Sequence, residues 1–192
     1  TAVGVTYDWG GGVTTNTQTT NSVGTYSVTV TDPANGCSAS ASTTVTQNIT
    51  TPNVSIAPPA DLTCSVTSVT LSASSATIGV TYDWGGGVTT SIRTVSAPGP
   101  YSVTVTDPSN GCSATASTTV NQNGTLPNIS IAPPADLTCS ITSVTLTASS
   151  TAVGVTYDWG GGITTNTQTT NSVGIYSVTV TDPANGCSAS AS

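Results

Sequence analysis

The sequence predicts an all-β protein built from tandem β-sandwich repeats, and three observations support this fold class. The heptapeptide TYDWGGG occurs at residues 6–12, 81–87 and 156–162, so the chain repeats with a period of 75 residues. Within each period apolar and polar residues alternate, which is the periodicity of strands and not of helices. Gly, Pro, Asn and Asp bound these alternating runs, as is typical of turns. A 75-residue period is long enough for each repeat to form a small domain.

The strands of the middle repeat follow one another at short intervals. The alternating segments are NVSIA (53–57), SVTLSAS (68–74), VTYDW (80–84), YSVTV (101–105) and CSATASTTV (112–120). Between the last two, the Asn110-Gly111 pair is a strong hairpin signal. Several short strands about ten residues apart, with a Trp in a middle strand, predict a two-sheet sandwich of the immunoglobulin type.

The repeats predict three domains of unequal completeness. Residues 1–48 hold the C-terminal strands of one repeat, residues 49–123 hold a complete repeat, and residues 124–192 lack most of a last strand. An open sandwich exposes its core and its strand edges. The chain is therefore expected to be a window on a longer tandem array, or to be completed by strands from a neighbouring chain. The near-identity of residues 1–42 and 151–192 favours the window.

Aromatic residues are predicted to occupy the core of each repeat. The three Trp side chains point inward with the apolar face of their strand. Three Tyr residues begin the penultimate strands, where a tyrosine corner bonds its hydroxyl back to nearby backbone. These core positions are Trp9, Trp84, Trp159, Tyr26, Tyr101 and Tyr176.

The scarcity of basic residues disfavours nucleic acids and anionic membranes as partners on grounds of charge. Only 5% of residues are charged, against roughly 25% in a typical soluble domain, and eight Asp with one Arg give a net charge of −7. Without clustered Lys and Arg, we expect no nucleic-acid partner and no attraction to an anionic membrane. No apolar run approaches the length of a membrane span, so direct membrane insertion is not expected. A surface of Ser, Thr and Asn repels its own copies weakly, which favours self-association.

The same residues exclude most catalytic chemistry. The chain has no His, so Ser/His/Asp and Cys/His arrangements are impossible. The Gly triplet is not a phosphate loop, because no helix follows it and the chain has no Lys. Asp8 lies on an outward strand face and Asp32 lies in a turn, and every repeat carries the same pair, which indicates a scaffold. We therefore expect no enzyme and no catalytic or cofactor-binding residues.

Metal sites are also disfavoured. The Cys residues are too far apart for a zinc site, which needs paired Cys or His ligands. Calcium takes six to eight oxygen ligands, usually from clustered carboxylates. The expected cofactor is none, and only a weak calcium site is compatible with the scattered Asp residues.

The five cysteines are interpreted as disulfide candidates of an oxidising compartment. In-domain pairing would join Cys64 to Cys112 and Cys139 to Cys187, leaving Cys37 to bond upstream. Linker pairing would join Cys37 to Cys64 and Cys112 to Cys139, leaving Cys187. A third arrangement joins one domain to the next. We favour in-domain pairing, because a sandwich with few large apolar residues needs its own covalent link.

Four sequons lie in the junctions between repeats. They are candidates for glycosylation, and the Ser- and Thr-rich surface is a further candidate for O-glycans. The acceptor residues are Asn48, Asn53, Asn123 and Asn128.

The repeated motif carries a family resemblance over the whole chain. The Tyr-x-Trp-Gly strand followed by GxYSVTVTDPxNGC resembles the PKD-like, immunoglobulin-like repeats of bacterial surface proteins, in particular the tandem repeats of gliding-motility adhesins. The resemblance implies an extracellular adhesive protein. PKD domains typically carry GDG after the Trp, whereas residues 85–87 are GGG, so a cation role of that Asp does not carry over.

These observations predict a structural extracellular protein, secreted or at the cell surface. Its repeats would form a stalk or filament used in adhesion or surface coating, by self-association or as one long array, with surface glycans as a further partner. Pro-containing junctions would stiffen the angle between domains. The alternative is a glycan-binding accessory module of a secreted protein. That module would need an exposed aromatic platform, so burial of the Trp residues discriminates between the two.

Overall fold

The computed structural model describes residues 4–192, and its elements are all strands. The chain divides into two compact units, Thr1–Thr50 and Thr51–Ser192. Within the described residues, no helix has the length and apolar character needed to cross a membrane.

The first unit contains one three-stranded antiparallel sheet, in the order β1-β2-β3. The sheet register places Tyr7 opposite Val30 and Val28 opposite Ala41. Its strands are β1 (Thr6–Asp8), β2 (Gly24–Thr31) and β3 (Ser38–Val45). Trp9, which was predicted to be buried, is only half-buried. The physical reason is that the described residues of this unit form one sheet, with no second sheet of the same unit over it.

The second repeat forms a complete sandwich of two antiparallel three-stranded sheets. One sheet has the order β4-β6-β8 and the other has the order β7-β9-β10. The strands are β4 (Ser55–Ile56), β6 (Val69–Ser74), β8 (Ile92–Val95), β7 (Thr81–Asp83), β9 (Gly99–Thr106) and β10 (Ser113–Val120). Leu71, Val103 and Val105 are fully buried between the sheets. Along β6 every second residue is buried, as the alternation predicted.

The third repeat has the same arrangement, with sheet orders β12-β13-β15 and β14-β16-β17. Its strands are β12 (Ser130–Ala132), β13 (Val144–Ser149), β15 (Thr167–Thr170), β14 (Thr156–Asp158), β16 (Val178–Thr181) and β17 (Ser188–Ala191). Ala148 and Val178 are fully buried in its core. The strand β16 has four residues and pairs with β17 over its whole length. In both repeats the first, second and fourth main strands pair in one sheet and the other three in the second. This is the connectivity of an immunoglobulin-like sandwich, so the predicted fold class is confirmed.

A short parallel pair of strands lies where the chain leaves the second repeat. The strand β5 (Leu62–Thr63) lies beside β11 (Gln122–Asn123), and the Leu62 N–H donates to the Asn121 carbonyl at 2.9 Å. Leu62 is buried, which fixes this segment to the core. Cys64 therefore lies beside the chain that leaves the second repeat.

Candidate functional site

The heptapeptide TYDWGGG builds the turn that ends the tryptophan strand. In the second repeat the Asp83 Oδ1 accepts the Gly85 N–H at 2.7 Å, and the Trp84 N–H donates to Val88 at 3.0 Å. The glycines at 85–87 have φ values of 75°, 64° and 84°. Three consecutive left-handed residues require Gly, because a Cβ is disfavoured in this conformation. The predicted outward Asp is thus a turn-forming residue in this structure.

The tryptophans of the two complete sandwiches lie inside them. Trp84 is 4% exposed and Trp159 is 8% exposed. The Nε1–H of Trp84 donates to the Thr90 carbonyl, and that of Trp159 donates to Thr165, both at 3.0 Å. Neither ring is presented as a flat surface on which a sugar would stack.

The three tyrosines at the predicted corner positions are half-buried. Each hydroxyl donates to the carbonyl four residues upstream. The acceptor of Tyr26 is Ser22 at 3.0 Å, that of Tyr101 is Ala97 at 2.8 Å, and that of Tyr176 is Ser172 at 3.0 Å.

The site that distinguishes this chain is a disulfide between repeats. Cys64 of the second repeat bonds to Cys187 of the third, with a Cα–Cα distance of 5.0 Å and a sequence separation of 123. Cys187 is fully buried. Cys37, Cys112 and Cys139 are free thiols. The favoured in-domain pairing is therefore wrong, and the linker pairing is not formed either.

The geometry of the sandwich explains this correction. Cys112 precedes β10, whereas Cys64 lies next to β11, just beyond the other end of β10. The eight residues of β10 rise about 3.4 Å each, so the two cysteines of one repeat are separated by roughly 25 Å. A disulfide needs Cα atoms within about 7 Å. The two cysteines of one sandwich therefore lie too far apart to bond. The Cys187 loop near the end of the third repeat instead reaches Cys64 near the start of the second.

Asn185 organises the contact around the disulfide. Its side chain is 2% exposed, and its Nδ2 donates to the Thr125 carbonyl at 2.9 Å and to the Asn123 Oδ1 at 3.3 Å. Its Oδ1 accepts the Cys187 N–H at 2.9 Å. Its backbone carbonyl accepts the N–H and the hydroxyl of Ser65 at 3.2 and 3.3 Å. A buried amide with its partners supplied fixes the orientation of the two repeats.

Gly186 allows this close approach. A Cβ built on it would lie 2.6 Å from the Ser65 Cβ and 2.8 Å from its Oγ. The equivalent Gly36 and Gly111 have similar φ values, and a Cβ on either would have no heavy atom within 4 Å. The glycine of the NGC motif therefore serves both the turn and the contact between repeats.

The loops that carry the free cysteines are already formed. In all three DPxNGC loops the Asp N–H donates to the Cys carbonyl at 2.9 Å. The Cys112 N–H donates to the Asn110 Oδ1 at 2.8 Å, much as in the bonded loop. Around Cys139 the Thr138 Oγ1 accepts the Ser140 N–H at 3.2 Å, which matches the distance between Thr63 and Ser65.

Ionisable groups are sparse elsewhere. Hydrogen bonds from the hydroxyl of Ser109, at 2.7 Å, and then from its N–H lower the pKa of Asp107 below its ordinary value. Arg93 donates from Nη1 to the Trp84 carbonyl at 2.7 Å and lies 5.3 Å from the Tyr101 ring centre. Its equivalent Gln168 has a buried Oε1 with no hydrogen-bond partner among residues 4–192. The described residues contain no group of three or more His, Cys, Asp or Glu side chains arranged to hold a metal.

The sequon asparagines are exposed but engaged through their Oδ1 atoms. Asn53 accepts the Ala76 N–H at 2.9 Å, and Asn128 accepts the Thr151 N–H at 2.8 Å. Asn48 accepts the Thr50 N–H at 3.2 Å. The bonds of Asn53 and Asn128 tie the start of a repeat to a turn of the same repeat, whereas that of Asn48 is local. Glycosylation at these residues and at Asn123 stays a prediction.

Sequence reasoning did not identify Asn185, Gly186 and Ser65 as a contact. A signal was present, because Asn-Gly-Cys follows Asp-Pro in all three repeats while the residue between them varies. A hairpin alone needs the Asn-Gly pair. The added Cys indicates that the loop also bonds to something outside its own sandwich.

Comparison with protein-family models finds no match. Comparison with curated proteins finds no match either. Among solved structures, the crystal structure of the N-terminal eight Ig domains of Down Syndrome Cell Adhesion Molecule (DSCAM), isoform 1.30.30, is similar at 14% identity and a TM-score of 0.27, over 97% of this chain and 36% of that one. This chain thus spans about a third of the length of that structure. At this level the likeness carries no weight for function.

Proposed function

We propose that this chain is a structural protein of the cell exterior, whose immunoglobulin-like repeats build a stalk or filament used in adhesion or surface coating. The observation that carries the proposal is the covalent junction between the second and third repeats. The disulfide and the buried Asn185 hold the two neighbouring repeats in one orientation. Domains joined by flexible linkers would not need such a fixed junction. A fixed angle is the property that a stalk requires.

The location is supported by the same bond. Disulfides persist in oxidising compartments and are rare in the cytosol, where thiols are kept reduced. The resemblance to PKD-like repeats of bacterial adhesins gives the same location. Copies of one sandwich, each contacting only its neighbours, let length change by adding repeats without redesigning a core.

The glycan-binding alternative receives less support. Its platform would have to come from aromatic rings, and Trp84 and Trp159 lie inside their sandwiches. An enzyme is not proposed, since the Asp residues of the TYDWGGG turns are used by backbone N–H groups.

Immuno-electron microscopy of intact, unpermeabilised source cells tests the proposal. An antibody raised against the folded chain should label extended surface structures along their length. A matched antibody against a cytoplasmic protein should give no label. Label confined to the cell interior, or to compact particles in the medium, would contradict a stalk or filament. Binding of the isolated chain to immobilised glycans, with no labelled fibres, would favour the accessory module instead.

A further inference from the structure

We infer that Cys37, Cys112 and Cys139 also form disulfides between repeats, each joining the LTC motif of one repeat to the NGC motif of the repeat after it. This inference extends the proposed function, because it identifies the partner of the junction as another repeat of the same kind. The partner repeat belongs either to the same polypeptide or to a second copy of the chain, and its chemistry is the same in both cases.

The first support is the division of the five cysteines into two classes. Cys64 and Cys139 lie in the motif DLTCS, and Cys37, Cys112 and Cys187 lie in the motif DPxNGC. The bond in the structure joins one member of each class. The Cys64–Cys187 bond is therefore one observed case of an LTC cysteine pairing with an NGC cysteine.

The second support is the spacing. The bonded pair is 123 residues apart, with the LTC cysteine first. For Cys139 the partner would lie 123 residues later, and for Cys37 and Cys112 it would lie 123 residues earlier. All three positions fall outside residues 1–192. The rule thus predicts Cys64–Cys187 as the one internal bond and the other three cysteines as thiols, which matches the structure.

The third support is that the local turns at the free cysteines are already formed. In the loop of Cys112, as in the bonded loop of Cys187, the Cys N–H donates to the Asn Oδ1. The turn of Cys139 has the same bonds as that of Cys64. Cys37 and Cys139 are exposed and Cys112 is half-buried, so another repeat can approach them. Gly36 and Gly111 leave the space that the docked Gly186 uses against Ser65.

The bond forms by thiol–disulfide exchange with a small external disulfide. The Cys139 thiolate attacks one sulfur of that disulfide and releases one thiol. The thiolate of the partner NGC cysteine then attacks the mixed disulfide and releases the second thiol. One S–S bond forms and one is broken, and the two electrons and two protons leave on the external compound as two thiols.

The experiment uses the full chain at high concentration with oxidised and reduced glutathione as the redox buffer. Cleavage before each Asp separates the five cysteines into peptides 32–60, 61–82, 107–135, 136–157 and 182–192. Non-reducing mass spectrometry then identifies which peptides are joined. We expect 61–82 joined to 182–192 within one chain, and 136–157 joined to 32–60 or 107–135 between chains.

The relative amounts of LTC–NGC and NGC–NGC links distinguish the proposed pairing from random collision of the free thiols. With one free LTC and two free NGC thiols per chain, random collision would give NGC–NGC links as often as LTC–NGC links. We expect at least a tenfold excess of LTC–NGC links. Equal amounts of the two kinds, a link from 136–157 to 182–192 within one chain, or thiols that all remain alkylatable would each overturn the inference.

A variant isolates the docking contact. Gly36→Ala with Gly111→Ala should reduce the links between chains at least tenfold, because each added Cβ would meet the serine of the partner's LTC motif. The control Gly10→Ala has a similar positive φ and open surroundings, and it should leave the links unchanged. Retention of the 61–82 to 182–192 link shows that each variant is folded. Equal linking in variant and control would overturn the docking geometry.

Native material distinguishes the two sources of the partner repeat. The same peptide links in a protein whose denatured mass is unchanged by reduction place the partner in the same polypeptide. A mass that falls to single chains on reduction places it in a second copy. Neither result depends on labelled fibres, so the disulfide rule and the stalk proposal can fail separately.

Discussion

Replacing Gly186 by Ala tests whether the contact between repeats is as close as the structure shows. The matched control is Gly111→Ala, since both glycines lie in NGC loops with φ of 69° and 72°. The backbone strain of a Cβ at positive φ, about 1–2 kcal/mol, is common to both variants and cancels in the comparison. What remains is the contact with Ser65, which only Gly186 makes.

The magnitude follows from the distances. The new Cβ would lie 2.6 Å from the Ser65 Cβ, and an ordinary separation of about 3.6 Å requires a shift of about 1 Å. The two bonds from Ser65 to the Asn185 carbonyl, at 3.2 and 3.3 Å, would then be broken. At about 0.5–1.5 kcal/mol net for each bond, the junction loses about 1–3 kcal/mol.

The assay is the redox equilibrium of the Cys64–Cys187 bond. In glutathione buffers, alkylation of peptides 61–82 and 182–192 gives the reduced fraction, with the other three cysteines replaced by Ser in all samples. Because about 1.4 kcal/mol corresponds to a factor of ten, Gly186→Ala should weaken the disulfide by about 5- to 150-fold relative to Gly111→Ala. Equal equilibrium constants for the two variants would refute the close contact.

Three further predictions concern single features. Ser109→Ala should raise the pKa of Asp107 toward 3.8, because the hydroxyl hydrogen bond that lowers it is lost. In the wild type the hydrogen bonds to the Asp107 carboxylate stabilise the folded state above the ordinary pKa of Asp, and this contribution is lost as the pH falls through the lowered pKa of Asp107. The variant lacks the hydroxyl bond and should therefore lose less stability in acid. Carboxyl ¹³C NMR titration measures the pKa. Gln168→Arg should stabilise the third repeat by about 1–2 kcal/mol in urea unfolding, because it removes an unpaired buried oxygen and adds the contacts that Arg93 makes; Gln168→Leu, which adds no donor, should gain less. In force spectroscopy between the chain termini, Cys64→Ser should release about 430 Å more extension than the wild type, because the disulfide withholds 123 residues of about 3.5 Å each; equal extensions would contradict the bond.

The main strands could be predicted because their signal is local. Val69, Leu71 and Ala73 alternate with polar residues and are buried between the sheets. The strand β8 was missed, since its run contains Arg93 and an exposed Ile92. The two-residue strands β5 and β11 were missed because so short a segment carries no periodicity. Their pairing depends on the packing of the whole repeat.

The disulfide pairing could not be predicted from one repeat. The second and third repeats each offer one cysteine of each class, 48 residues apart, and the first offers Cys37, so the sequence is compatible with several connectivities. The choice depends on which ends of the sandwich carry the cysteines and on how one sandwich meets another. Asn185 and Gly186 acquire their role only at that contact.

The disulfide also changes what a protease can do to this protein. A single backbone cut anywhere between Cys64 and Cys187 leaves the two fragments joined through sulfur. If the class rule holds along an array, bonds that each enclose 123 residues recur every 75 residues and overlap. Every peptide bond is then enclosed by at least one disulfide. Such a fibre is severed by proteolysis only when its disulfides are also reduced.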